Sequence, residues 1–210
     1  MHPLLRRVQL RRIDIERKER RNGFPFFICG NSDKKIVRLP SDSKPIPMQN
    51  LSMIAAVGEN WELGYQNQLL CHLPADLKYF KKVTSGAPVL MGDNTWRSLP
   101  KRPLPNRRNI VITLDDVSFP DCETVHSIED AMALVQDAPE AFVMGGATMY
   151  RLFLPYAEKI YLTRIKSSFT ADVYFPVLSD DEWQVDRTVF RPRDEKNEYD
   201  LYFQTLIRKK

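Results

Sequence analysis

A chain of 210 residues with 43% apolar residues and a formal charge of +4 is long enough for one compact domain with a sizeable core. Its three cysteines (Cys29, Cys71 and Cys122) are widely spaced and free of any CxxC pair, and its three histidines (His2, His72 and His126) are scattered. That pattern argues against a disulfide scaffold or a metal site and fits reduced thiols in a cytoplasmic setting; no apolar run reaches the length of a membrane span.

Residues 1–47 carry 12 Lys and Arg against 5 Asp and Glu, and residues 48–210 carry 19 against 22, so a leader of net +7 precedes a domain of net −3. The leader holds Arg6-Arg7, Arg11-Arg12 and the run Arg17–Arg21, with Asp14, Glu16 and Glu19 interspersed. Its end, from Leu39-Pro40 to Pro45-Ile46-Pro47, reads as an extended linker. It lacks the apolar h-region of a secretory signal. Counterion release onto nucleic acid is the functional alternative, but the interspersed acids and the lack of interleaved aromatics argue against it. We read residues 1–47 as a disordered appendage, or as sequence upstream of a start at Met48, with no nucleic-acid partner.

From Met48 onward, strand-like runs alternate with helical patterns. A strand over Leu51–Val57 precedes a helix over Pro74–Val83; then come a strand Pro88–Met91, a short helix near Thr95–Ser98 and a strand Asn109–Thr113. A short strand Glu123–Val125 leads to a helix Ile128–Gln136, and a strand Ala141–Met144 turns through Gly145-Gly146 into a helix Thr148–Phe153. Such alternation predicts a mostly parallel sheet with helices on both faces. The last three runs, Lys159–Ile165, Trp183–Phe190 and Tyr199–Ile207, have no helix between the final pair. Tyr199, Leu201 and Phe203 alternate with polar residues, which predicts a closing antiparallel hairpin.

Two places in this scheme carry chemistry. Pro74 suits the first position of a helix, and Leu73, Leu77 and Phe80 recur at helical spacing to mark an inward apolar face. Asp76 borders that face. Taken by itself it reads as a solvated first-turn acid complementing the helix dipole, yet a carboxylate beside an apolar pocket is also a candidate ligand hook. Gly145-Gly146, between an apolar strand and a helix, lets a flat ring approach the backbone closely; taken alone the pair is equally a plain strand-to-helix turn. No G-x-G-x-x-G fingerprint occurs.

The order of segments decides between these readings. Leu51–Val57, Leu69–Lys82, Pro88–Gly92 with Thr95-Trp96, Pro103–Ile112, Val143–Gly146, Tyr161-Leu162-Thr163 and Asp172–Pro176 follow one another as they do in dihydrofolate reductase, which the chain closely resembles from about Met48 to its C-terminus, in the bacterial chromosomal type. The resemblance implies a central, mostly parallel sheet with flanking helices and a C-terminal antiparallel hairpin, in a monomeric cytoplasmic enzyme. It implies reduction of 7,8-dihydrofolate to tetrahydrofolate by a reduced nicotinamide cofactor, in support of one-carbon metabolism. Asp76 would bind the pterin 2-amino group and N3 and, with Thr163 and an ordered water, favour protonation at N5. Ile54, Ala56, Leu77, Phe80 and Leu104 would line the pterin and benzoyl pocket, and Arg107 would fork onto the substrate's glutamate, with Arg108 solvated beside it. Residues 58–71 would correspond to a mobile loop over the nicotinamide: Gly64 would give it a flexible point, Asn67, Gln68 and Leu69 would cover the ring, Leu63, Gly64 and Asn67 would be cofactor-binding, Leu69 would join Asp76 and Thr163 as a catalytic residue, and Asp172 would pin the closed state. The rest of the cofactor cleft would be Ala55, Gly92, Asp93, Asn94, Thr95, Thr113, Leu114, Met144, Gly145, Gly146, Ala147, Thr148, Met149 and Tyr150.

The chain departs from the family pattern at two places. Cys71 stands where a tryptophan usually orders a water near the pterin. Asp93-Asn94 and Leu114-Asp115 stand where a cation and a polar or basic group usually meet the 2′-phosphate of NADPH, so NADH becomes a candidate cofactor beside NADPH. Two other readings remain: a folate- or nucleotide-binding homologue with weak turnover, and a riboflavin-pathway reductase, which shares the fold but not the pterin carboxylate. Asp76 with Arg107 argues against the latter.

Overall fold

The computed structural model describes residues 47–209; the expectations for the leader lie outside them. The strands are β1 (Met48–Val57), β2 (Glu62–Tyr65), β3 (Gln68–Leu69), β4 (Pro88–Gly92), β5 (Arg108–Ile112), β6 (Glu123–Val125), β7 (Ala141–Val143), β8 (Ala157–Ile165), β9 (Val173–Tyr174), β10 (Trp183–Arg191) and β11 (Leu201–Arg208). The helices are α1 (Pro74–Thr84), α2 (Asp93–Ser98), α3 (Ile128–Val135) and α4 (Ala147–Phe153), with a 3₁₀ turn at Leu154–Tyr156.

Eight strands form the main sheet in the order β10-β11-β8-β1-β7-β4-β5-β6. Pairing is parallel from β8 through β6 and antiparallel where β11 joins β8 and β10. Strand β1 is the centre. Leu51, Met53 and Val57 are fully buried and join Leu90, Ile110, the α3 residues Ile128, Ala131 and Val135, and the α4 residue Phe153 in one core layer. Ile54, on the opposite face because strand side chains alternate, joins Val89, Met91, Val111, Phe142 and Trp96 of α2, with Phe80 and Val83 of α1 packed against them. Burial on both faces is why these strands read as unbroken apolar runs.

Local signals explain the helix ends. Pro74 opens α1, Asp76 lies in its first turn and Lys81 and Lys82 in its last, each matching the helix dipole. Ser127 caps α3 by accepting from Asp130 N at 3.0 Å.

Three sequence expectations need correction. Leu77 is 44% exposed: buried Leu73 and half-buried Phe80 pack into the protein, and Leu77 is left uncovered by it. Arg108 is exposed, as expected, but is also engaged, pairing in a fork with Glu123 at 2.5 and 2.7 Å and donating to Leu134 O at 2.6 Å. Residues 58–71 are not a simple loop, because β2, β3 and β9 form a second, three-stranded sheet. Its strands have two to four residues and turn through Gln66 and Asn67 at φ 49° and 60°, too short to show a period of two.

Candidate active site

The main sheet parts where its strand order changes. Strand β1 pairs with β7 only from Leu51↔Ala141 to Met53↔Val143, whereas its pairing with β8 runs on to Val57↔Arg164. Beyond Met53 the β7 side of β1 is therefore open, at the carboxyl ends of parallel strands where ligands of such sheets bind. Gly145-Gly146 leaves the sheet at this opening through a cis peptide, with Gly145 at φ +109°. Gly145 O accepts from Gly92 N at 2.9 Å, and Met144 N donates to Leu90 O at 2.9 Å. A Cβ on Gly145 would stand 3.1 Å from the Tyr150 ring, and one on Gly146 would stand 3.4 Å from Thr95 Oγ1. A side chain at Gly145 would thus crowd Tyr150, and one at Gly146 would touch Thr95. Across it, the buried Tyr150 hydroxyl donates to Ile54 O at 2.7 Å. Burial and, less strongly, the charge of Asp76 push the Tyr150 pKa well above its ordinary range, so Tyr150 stays a neutral donor.

The second half of the site joins α1 to β8. Thr163 is 2% exposed and lies between Ala56 and Phe203 in the β1–β8–β11 register. Its hydroxyl meets the Asp76 carboxylate; burial raises the Asp76 pKa and the Thr163 hydrogen bond offsets part of that rise. The carboxylate is half-buried beside the Thr163 hydroxyl and is not a fully solvated first-turn acid.

Ile54, Phe80 and Leu104 share one apolar cluster. Arg107 closes its far end: Nε donates to Pro105 O at 3.0 Å, Nη1 donates to Thr84 Oγ1 at 3.2 Å, and the guanidinium lies 5.4 Å from the Phe80 ring centroid. Burial lowers its pKa from the usual guanidinium value, and it stays a cation at neutral pH.

Residues 58–71 are held down at several points. Asp172 Oδ2 accepts from Gln66 N at 2.9 Å and Asp172 N donates to Gly64 O at 3.2 Å, the pin expected of this acid. Glu62, 2% exposed, accepts from Asn60 N, Asn60 Nδ2 and Phe169 N at 2.7, 3.1 and 3.1 Å. Burial would raise its pKa, but these bonds together bring it below the ordinary value. Gly64, Asn67 and Leu69 lie on this flap; Leu69 is 76% exposed, so its expected place against a nicotinamide is not packed by the protein. Cys71 packs beside Leu73, Ala56 and Phe169, and burial with the charges of Asp76 and Glu198 pushes its thiol up to about 11, so it stays protonated at neutral pH.

At the outer end, the pairing Gly92↔Ile112 sets Asp93 beside Thr113, with Asn94 and Leu114 following. Thr113 Oγ1 accepts from Asp115 N at 3.2 Å. Arg97, one turn along α2 from Asp93, lies 5.2 Å over the Phe119 ring.

Sequence reasoning missed three buried polar residues that hold this site. Asn109 staples the loop carrying Leu104 and Arg107, accepting from Leu104 N at 3.0 Å and donating to Leu104 O and Arg107 O at 2.9 Å each. Thr84 Oγ1 donates to Phe80 O at 2.8 Å and accepts from Arg107. Asn197 Oδ1 accepts from Ala75 N at 2.9 Å. A polar residue at the head of an apolar run is the available signal for Asn109; nothing local marks Thr84 or Asn197. A cavity of about 650 Å³ is lined by Trp61, Leu162, Arg164, Trp183 and Leu206. Leu162 and Arg164 alternate with Thr163, so it lies on the opposite face of the sheet from Asp76.

A family model for dihydrofolate reductase matches residues 50–208. The chain belongs to the dihydrofolate reductase family. It is 42% identical over 154 residues to the dihydrofolate reductase of Bacillus subtilis, covering 73% of this chain and 91% of that one. It is 39% identical over 158 residues to that of Haemophilus influenzae, covering 75% and 98%. A solved dihydrofolate reductase from Enterococcus faecalis, complexed with NADP(H) and RAB-propyl, superimposes with a TM-score of 0.73 at 31% identity, over 78% of this chain and 99% of that one. The chain is accordingly an oxidoreductase with dihydrofolate reductase activity that uses a nicotinamide cofactor. These matches do not favour a weakly active binder or a riboflavin-pathway reductase.

Proposed function

We propose that this enzyme reduces 7,8-dihydrofolate to 5,6,7,8-tetrahydrofolate in the cleft between β1 and β7, with Asp76 as the pterin carboxylate. The observation that carries this assignment is the half-buried Asp76 carboxylate, whose protein donor is the Thr163 hydroxyl. The carboxylate accepts from the pterin 2-amino group and N3–H, and Thr163 fixes its rotamer. Ile54, Ala56, Leu77, Phe80 and Leu104 hold the ring and benzoyl group, and Arg107 binds the substrate's terminal carboxylate. Asp76 supports delivery of a proton to N5 through a bound water, while the flap excludes bulk solvent.

Gly92, Gly145 and Gly146, which present bare backbone, line the cofactor cleft together with Ala55, Thr95, Ala147, Thr148 and Met149. These residues fit a flat ring and an extended dinucleotide. The bound nicotinamide supplies the hydride for C6. Replacing Asp76 by Asn should lower turnover by orders of magnitude at neutral pH while the fold persists. Turnover within about twofold of wild type would remove Asp76 from the chemistry.

For the cofactor itself we propose weakened preference for NADPH and appreciable use of NADH. Asp93 and Asp115 stand at the end of the cleft that receives the adenosine ribose. An acid there accepts from a free 2′-hydroxyl and repels a 2′-phosphate by about 0.7 kcal/mol per unit-charge pair at roughly 6 Å in water, and by more at lower dielectric. Comparing kcat/KM for the two cofactors at saturating dihydrofolate, in wild type and Asp93→Arg, tests this. A wild-type preference for NADPH of about a thousandfold, or no gain in NADPH use from Asp93→Arg, would mean that another cation, such as Arg97, meets the phosphate. We place the enzyme in the cytoplasm as a monomer. Cys71 and Cys122 are unpaired thiols, and among the described residues no helix is long and apolar enough to cross a membrane.

A further inference from the structure

We infer that Asn197 is a positioning residue for Asp76, acting through the backbone amide of Ala75; the inference rests on the reading of Asp76 as the pterin carboxylate. The first turn of α1 lacks the usual local cap. Leu73 occupies the N-cap position without a side-chain acceptor, Pro74 has no N–H, and Leu77 N bonds back to Leu73 O at 3.0 Å. Ala75 N–H is one of the donors that a helix start leaves unpaired, and a Ser, Thr, Asp or Asn at position 73 is the ordinary way to meet such a donor. Here the acceptor comes from 122 residues further on, as Asn197 Oδ1 at 2.9 Å.

Asn197 is 3% exposed and its amide can face only one way. Nδ2 donates to Asp194 Oδ1 at 2.8 Å, and that same oxygen accepts from Asn197 N and Lys196 N at 2.8 and 2.9 Å. The other Asp194 oxygen accepts from Arg191 at 2.5 Å. With the donor end committed to a carboxylate, the acceptor end must point at Ala75. The loop between β10 and β11 is therefore a fixed bracket on the helix, one residue from Asp76.

The loop that holds the bracket runs directly into β11, the strand paired with the one that carries the carboxylate's own partner. Thr163 of β8 is paired with Phe203 of β11, and Tyr79, one turn along α1, meets the Phe203 ring at 4.5 Å between centroids. Thr163 holds the Asp76 side chain and Asn197 holds its backbone, so the hairpin sets how deeply and at what angle the carboxylate enters the pterin pocket. A displacement of about 1 Å at such a group can cost as much as a hundredfold in rate.

The test compares full-length wild type, Asn197→Ala, Asp76→Asn, the double variant and Asp194→Asn. The readouts are single-turnover hydride transfer, KM for dihydrofolate, KM for the cofactor and Tm. Asn197→Ala should slow hydride transfer by about tenfold and raise KM for dihydrofolate, with KM for the cofactor unchanged, and Asp194→Asn should show a smaller effect in the same direction. In the Asp76→Asn background, Asn197→Ala should add no more than about twofold, because its route to the chemistry is gone. A normal hydride-transfer rate in Asn197→Ala, or an effect that persists undiminished beside Asp76→Asn, overturns the inference and leaves Asn197 a cap. A normal rate in Asp76→Asn alone overturns the reading of Asp76 and the inference with it. Should Asn197→Ala not fold, Asp194→Asn, exposed and outside the helix, carries the same comparisons.

Discussion

Removing the charge of Asp76 should strengthen the ligand-free fold while it disables the enzyme. Burial lifts this carboxyl's pKa above its ordinary value and the Thr163 hydroxyl recovers only part of the cost. The penalty for holding it ionised is absent below its unfolded pKa, develops as pH rises, and is complete above the folded pKa; each unit of upward shift is about 1.4 kcal/mol. Asp76→Asn keeps an acceptor for Thr163 and has no charge to desolvate. Its Tm should exceed wild type near pH 7, with the gain shrinking as pH falls toward about 4; thermal melts across that range check it. A lower Tm than wild type at pH 7 would show that the Thr163 bond to a charged oxygen outweighs desolvation. Glu62 runs the other way. Its pKa is held down by three hydrogen bonds, so it stabilises the fold above its unfolded pKa and loses that contribution as pH falls through the folded one. Asp76 was legible as a residue because Pro74 fixed the helix start; whether it faced ligand or solvent was not, since that depends on Thr163, 87 positions away by residue number.

Among the elements, the flap is the part whose stability is set by few contacts. Two paired positions join β2 to β9, Glu62↔Tyr174 and Gly64↔Val173, and Asp172 adds its carboxylate bond to Gln66 N at 2.9 Å. Asp172→Ala should therefore change kcat severalfold through flap opening and closing, while global stability moves by no more than about 0.5 kcal/mol, as for other exposed substitutions. Steady-state kinetics and a denaturant titration measure both; an unchanged kcat would remove the pin from turnover. The larger elements were readable because their signals are local. Buried parallel strands show as apolar runs, and α1 is announced by Pro74. The small sheet was not readable, since two- to four-residue strands owe their conformation to partners elsewhere in the chain. The start of β1 at Met48 was missed for the same reason: its partner there, Ala157, belongs to β8.

For the molecule as a whole, the prediction concerns where the working unit begins. We expect a chain starting at Met48 to match the full chain in kcat/KM and Tm, because β1 starts at Met48 and the family match begins at residue 50; a loss of either on removing residues 1–47 would show that they serve the enzyme. The global arrangement was accessible through motif order, which by resemblance also assigned Asp76, Thr163 and Gly145-Gly146 to one site. The supports at Asn109, Thr84 and Asn197 were not, because each acts on backbone or side chains brought near by folding. One of these contacts also bears on how the protein is made. A ribosome emits β1 first, yet β1 is the middle strand of the sheet, and its two neighbours, β7 and β8, lie roughly ninety or more residues downstream. The amide beside Asp76 finds its acceptor only when Asn197 has left the exit tunnel, and β11, which seats the hairpin on β8, follows it. A nascent chain thus holds Asp76 well before the acceptor for the neighbouring amide exists, and must keep its first apolar strand of the described residues unpaired through most of its synthesis, the interval in which such a strand is most prone to pair with the wrong partner.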